Sequence, residues 1–283
     1  MKTRTFIGLM LLCFTLSILV SCKKSSDSAA TNEPNEPQPS VWENGVLPGL
    51  FSVSESTRIQ FSQGNLQYKP SAGIWHFAAN QYNYIGEANS NISASYEGWI
   101  DLFGAGTGNN PNNASVNNDD YGNFVDWGCN KISNGGNTAN YWRTLNENEM
   151  VYLVYNRVTP SGIRFAKAKI NGINGLIILP DDWATEYYDL NDYNDNAMPF
   201  SSNIISLSDW QEKLEANGAV FMPAAGGRNG NTILYENEVG YYQTSTYSES
   251  DYVINLCVTN NSAGIGRNFK CLGQCVRLVK NAQ

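Results

Sequence analysis

The chain has 283 residues, 42% hydrophobic and 16% charged, with 18 Lys and Arg against 26 Asp and Glu for a net charge of −8. This balance excludes a coiled coil, a charged disordered chain and sequence-independent nucleic-acid binding, which needs clustered cations to release phosphate counterions. A single histidine, His76, excludes a multi-histidine zinc site and leaves one residue for any histidine-based triad.

Lys2 and Arg4 precede an apolar run from Phe6 to Val20. The run is shorter than the roughly 20 residues of a membrane span and fits the apolar region of a secretory signal. It ends in Leu19-Val20-Ser21-Cys22, which resembles a bacterial lipoprotein box. The resemblance implies a signal peptide of residues 1–21, cleavage before Cys22, and lipidation of Cys22 by several acyl chains, which anchor where one chain alone binds weakly. Residues 22–45 are polar and carry Pro34, Pro37 and Pro39. Such a segment cannot bury enough surface to offset its ordering entropy, so it reads as a tether. Within it, Glu33-Pro34-Asn35 matches the calcium and sugar tripeptide of C-type lectins. No Trp-Asn-Asp partner accompanies it, and it is read as coincidence.

Residues 46–283 read as one α+β domain. Arg58–Ser62 alternates like a half-buried strand, and Ile74–Phe77 is its expected partner. His76, between Trp75 and Phe77, is expected to be a strand residue rather than a catalyst. Residues 104–140 are dominated by Gly, Asn, Ser and Asp, and a loop this long inside a compact domain is usually functional. Asp119, Asp120 and Asp126 offer oxygen ligands for Ca²⁺, but without EF-hand spacing a solvated loop is the expectation.

Asn146 predicts the cap of a helix reaching Asn156, with Glu149 at the capping-box position and Met150, Leu153 and Val154 on one face. Arg164–Ile170 and Leu176–Leu179 predict a hairpin turning through 171–175. A second helix is expected over Ser208–Ala216, stopped by Asn217-Gly218. Ala219–Met222 returns as a strand. Two short helices among many strands indicate α+β rather than a parallel βαβ array.

From Gly226 the texture turns to Gly, Asn, Tyr, Ser and Thr, the composition of an antibody paratope. Candidate ligand contacts are Arg228, Asn229, Asn231, Tyr235, Asn237, Tyr247, Asn260, Asn261 and Arg267. Tyr supplies stacking area for a sugar or an anchor for a protein.

Several stretches together resemble a known family. They are Phe61-Ser62-Gln63-Gly64-Asn65-Leu66-Gln67-Tyr68, Gly98–Gly104, Ser133–Asn137 with Tyr141-Trp142-Arg143-Thr144-Leu145, and Gly162–Ala166. Leu179-Pro180-Asp181-Asp182-Trp183, Phe221–Gly226, Gly240-Tyr241-Tyr242 and Gly273–Val279 complete the set. The combination is similar to gut-bacterial lipoproteins related to the Fibrobacter major paralogous domain. That group looks like the formylglycine-generating-enzyme branch of the C-type lectin-like fold. The resemblance implies paired N- and C-terminal strands, two helices and long loops. It extends to the variable proteins of diversity-generating retroelements, which display mutable residues near the C-terminus. Gln243 stands where the family usually has Trp, and Cys275 where Ser is usual.

Three functions are weighed. The first is a non-catalytic, surface-displayed module binding a protein or glycan ligand, its C-terminal face open to retroelement diversification. The second is a structural subunit of a surface layer or appendage. The third is an oxidase like the copper-dependent thiol oxidase of the fold branch, which needs two close thiolates. Cys271 and Cys275 are close in sequence but about 13 Å apart on a straight strand at about 3.3 Å per residue. A hairpin turning at Gly264 would instead set Cys257 opposite Cys271, about 4.5–5.5 Å between Cα atoms and within disulfide range. The expectation is therefore an exported outer-membrane lipoprotein, not an enzyme, with a Cys257–Cys271 disulfide, no metal or other cofactor, and no nucleic-acid partner. Periplasmic and cell-surface orientation stay open.

Overall fold

The computed structural model describes residues 42–282, so Cys22, the signal peptide and nearly all of the tether lie outside the described residues. In chain order come β1 (Phe51–Ser52), β2 (Arg58–Phe61), β3 (Leu66–Lys69) and β4 (Ile74–Phe77). A long loop leads to helix α1 (Glu147–Val151), then to β5 (Phe165–Ile170), β6 (Ile173–Ile178) and β7 (Ile204–Ile205). Helix α2 (Leu207–Asp209) precedes β8 (Val220–Pro223), β9 (Gly227–Asn229) and β10 (Thr232–Leu234). The chain closes with β11 (Gly240–Ser248), β12 (Tyr252–Thr259), β13 (Ser262–Phe269) and β14 (Val279–Asn281).

The sheets run β1-β2-β14, β3-β4, β7-β5-β6-β8, β9-β10 and β11-β12-β13. Every strand pairing described is antiparallel except β5 with β7. The protein is α+β, mostly strands with a few short helices. Residues 42–282 lie within one compact unit, Pro37–Gln283. No helix among the described residues is long and apolar enough to cross a membrane.

The local signals act as their chemistry dictates. Asn146 accepts from the Glu149 amide at 3.0 Å, and the Glu149 carboxylate accepts from the Asn146 amide at 2.9 Å, closing the capping box. Arg143 then grips Glu149 through both guanidinium nitrogens, at 2.7 and 2.8 Å. α1 continues as a π-helical turn, Tyr152–Asn156. α2 starts earlier than expected because Ser206, two residues ahead of the predicted start, caps Asp209 at 3.1 Å. It widens through Trp210–Leu214 and ends at Gly218, whose φ of 85° is left-handed. The β5–β6 turn is tighter than predicted: Asn171 and Gly172 have φ of 49° and 81°, the two positive values of a type I′ turn.

One strand pairing is corrected. Ile74–Phe77 pairs with β3, not with Arg58–Ser62, while β2 lies between β1 and β14. The short connection Pro70–Ala72, closed by Gly73 at φ 64°, makes the local β3–β4 hairpin.

Three apolar clusters form the core. The first joins Phe51 and Phe61 to Leu153, Leu256 and Val279. The second packs Trp210, Leu214 and Phe221 against Ile177. The third gathers Trp75, Phe103, Trp127 and Trp142 under the Asn-rich loop. Trp127 is thus a buried peg for a loop otherwise made of turns.

His76 is a strand residue, as expected. Its ring stacks on Trp99 at 3.5 Å and its Nε2 meets Gln67 Oε1 at 2.7 Å. Burial lowers its pKa from 6.5 to about 4. Between these values the unfolded chain binds a proton that the folded chain refuses. Stability from this group is therefore complete above pH 6.5 and is lost as pH falls towards 4. The one imidazole signal in a ¹H NMR titration should have its midpoint near 4. An ordinary midpoint would refute this burial.

Candidate functional site

The candidate contacts do not share one face. Arg228 is fully buried: its guanidinium donates to the carbonyls of Leu102, Gly230 and Asn113. It organises the interior and is corrected from contact to scaffold. Tyr247 is partly buried, its hydroxyl donating to the Ala105 and Gly122 carbonyls at 3.3 and 3.2 Å, so it too braces the long loop. Asn229 and Asn231 are exposed at the β9–β10 tip. Arg267 pairs with Glu249 at 2.8 Å and lies over the Tyr252 ring. Tyr235 is exposed in a left-handed turn, φ 57°.

Asn237, Asn260 and Asn261 do converge. They line a cavity of about 380 Å³ with Asn174, Phe200, Glu238, Val239 and Thr259. Asn237 sits at φ 57°, and its side chain bridges two elements at the rim. Its Oδ1 accepts from the Asn174 amide at 2.8 Å, its Nδ2 donates to the Gly172 carbonyl at 3.3 Å, and Asn174 Nδ2 returns a bond to the Asn237 carbonyl at 2.8 Å. The β5–β6 turn is thereby locked to the segment before β11.

The opposite wall is pinned by Lys167. This side chain is almost wholly buried, and its ammonium donates to the carbonyls of Asn196, Asn260 and Thr259 at 2.9, 3.0 and 3.3 Å. It also sits 5.8 Å from the Phe200 ring centroid. Burial pulls its pKa down to about 8, with Asp195 opposing. Asn260 Oδ1 accepts from the Phe200 amide at 3.3 Å. Amides and one carboxylate, Glu238, thus ring a cavity over an aromatic side wall, an arrangement that hydrogen-bonds and desolvates a ligand. Lys167, Asn174 and Phe200 were not among the sequence candidates. The available signal was Lys167 in phase with Phe165 on a strand whose inward face is apolar.

The carboxylates of Asp126 and Asp120 are spent on structure. Asp126 accepts from the Gly128 amide at 2.9 Å and from the Thr144 amide and hydroxyl at 2.9 and 3.0 Å. Asp120 accepts from the Ser115 hydroxyl, and Asp119 follows Asn117, which caps its amide. Among the described residues no group of three or more His, Cys, Asp or Glu is placed to hold a metal.

The expected Cys257–Cys271 disulfide is corrected: Cys129, Cys257, Cys271 and Cys275 are free thiols. The β12–β13 hairpin turns at Asn260-Asn261, not at Gly264, so Cys257 faces Gly264. Cys271 lies beyond the end of β13. Burial raises the pKa of both thiols, and that of fully buried Cys275 far more. Beside Cys275, the wholly buried Asp101 has a pKa lifted to about 6 by desolvation, despite bonds from Asn89 Nδ2 and the Ile85 amide. Comparison with protein-family models, curated proteins and solved structures finds no match to this chain.

Proposed function

We propose that this protein is an exported, lipid-anchored binding module of the C-type lectin-like fold that takes a glycan or protein ligand without transforming it. The observation that carries the reading is the convergence of Asn237 and Asn260-Asn261, from separate turns, on one amide-lined cavity. Pairing of β2 with β14 and the presence of two helices and a long loop support the C-type lectin-like assignment. The raised thiol pKa values of Cys257, Cys271 and Cys275 favour binding over the oxidase alternative, because the thiolate is the reactive form.

The test is an array of glycans and surface proteins, with and without calcium. A saturable ligand should lose about tenfold or more in affinity on Asn237→Ala or Asn261→Ala, the latter an exposed side chain whose truncation leaves the fold intact. Unchanged affinity in both variants would place the binding face elsewhere. Ordered self-association with no captured ligand would instead favour a structural subunit.

A further inference from the structure

We infer that the Asn-rich loop forms a second binding site, separate from the amide-lined cavity, for an anionic group such as a carboxylate or sulfate. The site is a cavity of about 340 Å³ within residues 105–125. Six backbone carbonyls of this segment accept hydrogen bonds from other groups of the protein. Tyr121 O accepts from Lys270 Nζ at 2.9 Å, and Asn113 O from Arg228 Nη2 at 3.3 Å. Ala105 O and Gly122 O accept from the Tyr247 hydroxyl. Gly106 O accepts from the Val125 amide at 3.1 Å, and Gly108 O from Asn130 Nδ2 at 2.7 Å.

A trans peptide points its N–H opposite to its C=O. Each of these carbonyls therefore turns the next residue's amide away from its own hydrogen-bond partner. The amides that follow five of these carbonyls belong to Gly106, Thr107, Asn109, Gly122 and Asn123. None of the five donates to another group among the described residues. Gly106, at φ 61°, lets successive amides converge, as in the backbone concavities that bind anions. Behind this wall lie two buried cations, Arg228 and Lys270, neither in an ion pair among the described residues. Free amides backed by two cations without an ion-pair partner among the described residues select an acceptor-rich, anionic ligand over a cation such as Ca²⁺. Asp120, on the rim, is the one lining carboxylate and opposes an anion.

The test is a ¹⁵N–¹H NMR titration of the full chain with sodium sulfate, sodium glucuronate and calcium chloride at constant ionic strength. Sulfate or glucuronate should give saturable shifts at the amides of Gly106, Thr107, Gly122 and Asn123. Sulfate alone would assign a small-anion site, and tighter glucuronate an acidic-sugar site. Asp120→Asn should tighten binding by about threefold or more. Gly122→Leu should abolish it. Gly122 lines the cavity and a Cβ there meets no atom within 4 Å, so leucine adds bulk at the site without disturbing the fold. Shifts with calcium only, no saturable shift with either anion, or unchanged binding in the Gly122 variant would overturn the assignment.

Discussion

Arg277→Met is expected to destabilise the protein by about 3 kcal/mol or more, because three buried acceptors lose their charged donor. Arg277 is buried, and its guanidinium donates to Asn65 Oδ1 at 3.3 Å, Gln81 Oε1 at 2.7 Å and the Phe221 carbonyl at 3.1 Å. Gln81 in turn binds the Phe221 amide, the Ala219 carbonyl and Glu215. Burial lowers the Arg277 pKa to about 10, while Tyr242 and Glu215 hold it up. A methionine fills the volume but strands three acceptors without a cation. Urea unfolding monitored by tryptophan fluorescence measures the loss. A change below about 1 kcal/mol would mean that the network reorganises freely.

Gly128→Ala should lose about 3 kcal/mol or more, roughly 6–12 °C in Tm for a chain of this size. A Cβ there would overlap the carbonyl of Trp142, a backbone atom that no rotamer change can move. Gly128 is also fixed on both sides, its amide donating to Asp126 Oδ1 and its carbonyl accepting from the Asn140 amide. This close approach seats the Asn-rich loop on the third core cluster. Gly122→Ala, in open space on the same loop, is the control and should change stability by no more than about 0.5 kcal/mol. Equal effects at the two glycines would refute the packing argument.

Features fixed by near neighbours along the chain are legible in the residues themselves. Asn146, Glu149 and Gly218 act through bonds or dihedrals spanning a few residues and behave as read, while the β5–β6 hairpin is as read but turns at Asn171-Gly172 alone. Features that need distant strands are not legible in this way. The polar stretch from Asn260 to Gly264 permits several turn positions. The realised register sets Leu256 against Ile265 and Val258 against Ala263, keeping one face apolar. Turning at Gly264 would have set Val258 against Lys270, a charge on the core face. That choice removes the Cys257–Cys271 pairing. Composition marks Gly226–Asn268 as a candidate recognition surface, and three of its residues, Asn237, Asn260 and Asn261, line one cavity. It does not separate the exposed Asn261 from the buried Arg228, because burial there depends on contacts with Leu102 and Asn113 more than a hundred residues away.

Pairing of Phe61 with Val279 has a consequence for how the chain folds. β2 is synthesised more than two hundred residues before β14, so the central strand of the first sheet waits with one edge open while nearly the whole body emerges. Arg277, two residues before β14, likewise arrives last to close the network on Asn65 and Gln81. The local hairpins β3–β4, β5–β6 and β12–β13 can form as they appear. The first sheet cannot, and loop-closure entropy makes such long-range pairing slow. Closure of the first sheet therefore waits for the segment that carries β14, and a nascent chain stalled before Val276 would lack this seam.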